Sequence, residues 1–149
     1  AIAVAGVLGL DLQRAADAIS NSVLSEMRMQ HRTAISGALI IDDSYNANPA
    51  SMAAALHALN ATKASRRIAV LGVMAELSEP DQDHLQISRL AKQLGIEVIA
   101  VETDMYEVQS RTRDEVAAML ATVENTATIL IKGSRVAQLE KLVAILTTP

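Results

Sequence analysis

"IDDSYNANPASM", residues Ile41 to Met52, is the point where an apolar run hands over to a helical pattern. Two acids, a serine, a tyrosine and two asparagines stand between Ile41 and Pro49. Beyond the proline, Met52, Ala55, Leu56 and Leu59 recur at i, i+3, i+4 and i+7, the core stripe of an amphipathic helix. Asn48 is a good N-cap. Pro49 suits the first helical turn, where a missing N–H leaves nothing unpaired. A strand that runs through a polar loop into a capped helix is the repeating unit of an α/β fold.

The same rhythm extends in both directions. Met29 to Ile35 and Ala38 to Ile41 read as two strands, with Ser36-Gly37 as a tight hairpin turn between them. Ile68 to Leu71 is a short buried strand. A helix then starts at Pro80 and stops at Gly95. Ile96 to Val101 is another buried strand. Arg113 to Val123 is a helix with Val116, Met119, Leu120 and Val123 on one face. Thr128 to Ile131 is the last clear strand. Val136 to Leu146 is the last helix, facing inward through Val136, Leu139, Val143 and Leu146. A weak extra strand is predicted at Met105 to Gln109. Upstream, Ala1 to Val7 reads as a helix end stopped near Gly9. Asp11 caps a second helix through Leu12, Ala15, Ala16 and Ile19, and Ser20 to Glu26 is a polar linker.

Buried strands alternating with amphipathic helices predict a Rossmann-like α/β fold. Its sheet is mostly parallel, of about six strands, with an antiparallel edge strand and helices on both faces. The chain starts without methionine, inside a helical pattern, which suggests a processed or excised piece of something longer.

Composition narrows the function classes. The chain has 149 residues, half of them apolar and 20% charged, enough for a packed core. A net charge of −4 argues against a nucleic-acid surface. No cysteine is present, so neither disulfides nor thiolate metal sites hold the fold, and a cytoplasmic protein is the expectation. The longest apolar stretch, Ala1 to Leu10, is far short of the ~20 residues a bilayer requires, so no membrane insertion is expected. Phenylalanine and tryptophan are absent and there are only two tyrosines, which predicts an aliphatic core.

In open α/β sheets, ligands bind beyond the carboxyl ends of the strands. Three polar clusters fall at such ends: Asp42 to Asn48, Gly72 to Glu76, and Lys132-Gly133-Ser134-Arg135. In the first, Asp43 has the chemistry to accept hydrogen bonds from ribose hydroxyls. Tyr45 and Asn46 could hold a flat base by stacking and edge contacts, beside a helix N-terminus with its partial positive charge. The competing reading is an ordinary helix cap, with Asp42 and Asp43 as solvated strand-end acids. In the third cluster, Gly133 would admit close backbone approach to a ligand. Ser134 would cap a helix, and Lys132 and Arg135 would attract a carboxylate or phosphate. Here the competing reading is two solvated cations around a cap. There is no GxxxxGK(S/T) loop and no GxGxxG. His31, His57 and His84 lack metal-ligand spacing. His57 lies off its helix stripe and reads as exposed. The six methionines read as core fillers.

These motifs, taken together, resemble the Mur ligase family over the whole chain. "DDSYNANP" before a Met- and Ala-rich helix is most similar to the branch that adds D-alanyl-D-alanine to UDP-N-acetylmuramoyl-tripeptide. "LGVMAEL" (Leu71 to Leu77) resembles the family's Gly-x-Met-x-Glu-Leu segment, His84 falls on a family histidine, and "ILIKGSR" (Ile129 to Arg135) resembles the last strand and loop. The resemblance implies that residues 1–26 are the helical end of a central ATPase domain and residues 27–149 a C-terminal Rossmann-like ligase domain. It implies an ATP- and Mg2+-dependent ligase that forms a C–N bond. ATP converts the tripeptide carboxylate to an acyl phosphate, the dipeptide amine attacks, and phosphate leaves. The phosphate loop and the metal ligands would belong to domains not in this chain. The chain alone would then be inactive and would carry no catalytic residue.

By the same resemblance, Arg28, Asp43, Tyr45, Asn46 and Asn48 face the nucleotide, and Lys132, Ser134 and Arg135 face the incoming dipeptide. Three positions depart from the pattern. Met27 stands where a glycine is usual, Val73 where an aspartate is common, and Ser78 where a glycine is common. The alternative to a ligase domain is a non-catalytic, flavodoxin-like nucleotide-binding module using the same rim. A GxxxxGK(S/T) loop encoded before Ala1 favours the ligase, and a start codon there favours the module.

Overall fold

The computed structural model describes residues 6–7, 9–20 and 26–148. Most of the helix end expected near the start, and the polar stretch 21–25, lie outside the described residues. Helix α1 (Leu12–Ser20) starts where Asp11 Oδ1 accepts the N–H groups of Gln13 and Arg14, at 2.8 and 3.1 Å. Ser20 is still helical, one residue into the expected linker.

The remaining elements follow as β1 (Gln30–Thr33), β2 (Leu39–Asp43), α2 (Pro49–Asn60), β3 (Arg67–Leu71), α3 (Pro80–Gln93) and β4 (Glu97–Val101). After these come β5 (Ser110–Arg111), α4 (Arg113–Leu120), β6 (Thr128–Lys132), a single 3-10 turn (Arg135–Ala137) and α5 (Glu140–Thr147). They form one six-stranded sheet in the order β1-β2-β6-β3-β4-β5. The β1–β2 pair is antiparallel and every other pair is parallel, so the Rossmann-like α/β architecture with an antiparallel edge strand is present. Gly37, at φ +88, closes the β1–β2 hairpin. Its N–H donates to the Ala34 carbonyl (2.8 Å).

Period-two alternation along the strands divides the core in two. Ile40, Ile68, Val70, Ile129 and Ile131 pack with α4 and α5 on one face. Their neighbours Ile41, Ala69, Leu71 and Leu130 pack with α2 and α3 on the other. Each fully buried Ile or Leu contributes about 1.5–3 kcal/mol relative to exposure. The expected stripe of α2, Met52, Ala55, Leu56 and Leu59, is buried throughout.

Four expectations need correction. The core is not purely aliphatic, because Tyr106 is fully buried and donates its hydroxyl to the Gly72 carbonyl (2.9 Å). The weak strand lies at Ser110–Arg111 instead of Met105 to Gln109. Turning Tyr106 inward puts Glu102 and Glu107 at φ 54 and 55, and extended pairing cannot begin until the loop has come round. Helix α4 ends at Leu120, and Met119 is exposed while Val116 and Leu120 are buried. The last helix does not start at Val136, which is 69% exposed. Gln138 at φ 49 separates the 3-10 turn from α5, a break that lets Leu139 drop beneath the strand ends.

Candidate functional site

The two acids of the opening motif do different work because neighbouring strand residues face opposite sides of the sheet. Asp42 points to the α4–α5 side and is 1% exposed. It accepts from Ser44 N–H (3.2 Å), Ser44 Oγ (2.6 Å) and Arg32 Nε (3.2 Å), and so fixes the turn out of β2. Asp43 points to the α2–α3 side. There β6 lies alongside in register, with Lys132 opposite Asp43 on one flank and Leu71 on the other. Lys132 Nζ donates to Asp43 Oδ2 (2.5 Å) and to the Asn46 carbonyl (2.9 Å). Asp43 Oδ1 accepts the Met29 N–H (3.1 Å).

Neither acid is a solvated strand end, and Lys132, 2% exposed, is not a solvated cation. A buried, paired charge is retained where its geometry is satisfied on all sides.

This pair sits where the helices after β2 and β6 leave toward opposite faces, α2 to one and α5 to the other, which is a topological switch point. Three loops meet there. Ser134 Oγ accepts the Ala75 N–H (2.8 Å) and donates to the Ala47 carbonyl (3.3 Å). Ser134 therefore stitches the β6 loop to the β3 and β2 loops and makes no cap bond to the turn it precedes, contrary to the capping expectation. Gly133 also differs from expectation. What approaches it closely is protein: a Cβ there would meet Leu139 Cδ1 at 3.0 Å and Gly72 Cα at 3.1 Å.

Tyr45 stands at the centre of the rim, with the Arg28 guanidinium 4.4 Å and the Arg135 guanidinium 6.0 Å from its ring centroid. The Tyr45 N–H donates to the Met27 carbonyl (3.1 Å). Met27 is at φ 59, a left-handed conformation that glycine adopts without cost, so the usual family residue and the observed backbone agree. Asn48 forms a full capping box with Ser51: its Oδ1 accepts the Ser51 N–H (2.9 Å), and its own N–H donates to Ser51 Oγ (3.1 Å). The Asn48 carboxamide oxygen is thereby committed to α2.

Two clefts open on either side of the Tyr45–Asn48 wall. The smaller, about 250 Å³, is lined by Arg28, Asp43, Tyr45, Asn46, Asn48 and Lys132, among others. The larger, about 480 Å³, lies between the same wall and the β3 and β6 loops, with Glu76, Leu77, Ser134 and Arg135 on its far side. The five residues expected at a nucleotide therefore share one cleft. Of the three expected at the dipeptide, Ser134 and Arg135 face the other cleft, while Lys132 turns toward the first.

Support behind the rim comes from His84, the histidine that carried part of the family resemblance, and from Tyr106, which the sequence did not single out. His84, buried, accepts the Met74 N–H at Nε2 (2.8 Å), so its proton is on Nδ1, facing the Pro80 carbonyl (2.6 Å). Its ring meets Tyr106 edge-on, with centroids 4.9 Å apart. Burial raises the Tyr106 pKa well above the ordinary tyrosine value. No local sequence signal marks Tyr106 as a core residue. His57 is exposed, as its position off the stripe predicted. Among the described residues no cluster of three acidic or histidine side chains is placed to hold a metal ion, and no helix is long and apolar enough to cross a membrane.

A family model described as Mur ligase, glutamate ligase domain, matches residues 27–135. The UDP-N-acetylmuramoyl-tripeptide–D-alanyl-D-alanine ligase of Escherichia coli is 36% identical over 118 residues, which is 70% of this chain and 26% of that protein. The protein of the same name from Mycobacterium tuberculosis is 43% identical over 108 residues, 68% of this chain and 21% of that protein. The chain thus spans about a quarter of the length of these relatives. Among solved structures, MurF from Acinetobacter baumannii superposes with a TM-score of 0.86 at 26% identity, covering 99% of this chain and 36% of that one. MurF ligase from Thermotoga maritima, solved in complex with ADP, gives 0.77 at 24% identity, with coverages of 97% and 35%, a likeness of fold.

Proposed function

Because the chain belongs to the Mur ligase family, matched over residues 27–135, we propose that it is the C-terminal domain of an ATP-dependent amide ligase. On this reading the enzyme joins D-alanyl-D-alanine to UDP-N-acetylmuramoyl-tripeptide, the reaction printed in the names of its relatives. Residues 27–149 form the domain, and residues 1–26 end the preceding ATPase domain. The enzyme works in the cytoplasm, in cell-wall precursor synthesis.

The observation that carries this reading is the pair of clefts sharing one wall. A ligase that activates a carboxylate with ATP and then admits an amine needs a nucleotide and an acceptor side by side with water kept out. In the smaller cleft Asp43 receives ribose hydroxyls. Lys132, which lines the same cleft, holds that carboxylate in place at 2.5 Å. Tyr45 and Asn46 border the base, and Arg28 contributes positive charge toward the phosphates. Ser134 and Arg135 border the acceptor in the larger cleft. Magnesium, which such a reaction uses on its phosphates, is assigned to ligands in the preceding ATPase domain.

The test is Asp43→Ala in the full-length enzyme. Loss of a charge-assisted hydrogen bond, about 1.5–3 kcal/mol, raises the KM for ATP about ten- to a hundred-fold and leaves the dipeptide KM nearly unchanged. An unchanged ATP KM removes the ribose assignment. A full-length protein that binds nucleotide but forms no amide bond indicates a nucleotide-binding module.

A further inference from the structure

The larger cleft presents one anion, Glu76, and one cation, Arg135, on the far side from Asn46 and Asn48. Both are exposed, and among the described residues neither is in an ion pair with the other or with any third group. Opposite charges that share a cleft of about 480 Å³ without bridging it are complementary to a ligand carrying both charges at its ends. Small and apolar residues, Ala47, Ala75 and Val136, line the same cleft.

Glu76 is also held in an unusual backbone conformation. Its φ is 60, a strained region for a residue with a side chain, kept only where the surroundings impose it. Here they do. The preceding residues are pinned one after another: Val73 C=O by the Ser134 N–H (2.9 Å), Met74 N–H by His84 (2.8 Å) and Ala75 N–H by Ser134 Oγ (2.8 Å). The loop is fixed up to Ala75, then turns left-handed and sends a carboxylate into the cleft. Glycine would be the relaxed residue there, so the fold tolerates strain to keep a side chain at this position.

We propose that Glu76 is the specificity-determining residue for the acceptor and receives its α-ammonium, with Arg135 taking the carboxylate. The larger cleft thus binds a short zwitterionic peptide with small side chains in preference to an analogue that lacks the free amine. This rests on the reading of that cleft as the acceptor site.

The test compares Glu76→Gln and Glu76→Gly with the parent full-length enzyme, using D-alanyl-D-alanine, its des-amino analogue as inhibitor, and ATP. Both variants are expected to raise the dipeptide KM by about tenfold or more with the ATP KM within about twofold. Both should leave inhibition by the des-amino analogue unchanged, since that molecule has no ammonium to lose. Glu76→Gly should in addition melt at a higher temperature than Glu76→Gln, because it relieves the backbone. Improved stability together with a poorer acceptor KM is an outcome that a purely structural role does not give. A dipeptide KM within twofold of the parent, or a fall in kcat alone, overturns the assignment to Glu76 and leaves the ligase reading standing. A parent enzyme that makes no amide with any dipeptide overturns that reading itself.

Discussion

Replacing Lys132 by methionine removes an ammonium that the structure buries between two strands and leaves its partner in place. The variant keeps the length and most of the volume of the side chain, so packing changes little. What changes is that Asp43, half of a 2.5 Å pair, keeps only the Met29 N–H as a donor, and the Asn46 carbonyl loses its own. Breaking one side of a buried pair costs about 3–5 kcal/mol. The Asp43 side chain retains 13% exposure, which admits some water and places the expected loss near the lower end, about 3 kcal/mol.

For a chain of this size that corresponds to a fall in Tm of about 6–12 °C. Urea unfolding followed by far-ultraviolet circular dichroism measures it, since the chain has no tryptophan to report by fluorescence. The double variant Lys132→Met/Asp43→Leu removes both charges and should recover part of that loss, staying about 1–2 kcal/mol below the parent because the Met29 N–H and the Asn46 carbonyl remain without their partners. A single variant that loses less than about 1 kcal/mol, or a double variant as unstable as the sum of the two singles, would refute the assignment of this pair as the tie between β2 and β6.

Other outcomes follow from the scaffold behind the rim. Tyr106→Phe leaves the buried Gly72 carbonyl without its donor, a loss of about 1–2 kcal/mol near neutral pH by urea titration. Because burial raises the Tyr106 pKa in the folded state, its contribution is complete below the unfolded value of about 10 and is lost as pH rises toward the folded value, so the parent should weaken more steeply above pH 10 than Tyr106→Phe does. Gly133→Ala places a methyl 3.0 Å from Leu139 Cδ1 and 3.1 Å from Gly72 Cα, and should cost about 1–3 kcal/mol while displacing Ser134 and impairing the larger cleft. Gln138→Gly relieves a left-handed, exposed residue at φ 49 and should raise stability by about 0.5–1 kcal/mol in the same assay.

Much of the molecule was legible because its signals are local. The α2 stripe, the Asn48–Pro49 start and the Gly37 hairpin depend on residues a few positions apart, and each is found where the pattern put it. The misreadings occurred where distant contacts override local preference. Val136 continues a helical stripe in sequence, yet Leu139 must reach beneath Gly72 and Gly133, and the chain breaks at Gln138 to let it. Tyr106 lies in a stretch that reads as a strand. Its side chain instead fills the space beside His84, and the backbone follows the ring.

The sequence alone determined the alternation of buried strands and amphipathic helices, the placing of polar clusters at strand ends and the resemblance to Mur ligases. All of these are written in residue type and short-range spacing. Only the tertiary structure decided which acid of the Asp42–Asp43 pair enters the site and what Lys132 does there. Strand alternation requires the two carboxylates to point apart, but their sides have meaning only once β6 is inserted between β2 and β3. That insertion brings an ammonium from 89 residues away to Asp43, and no pattern along the chain encodes a contact made by strand order.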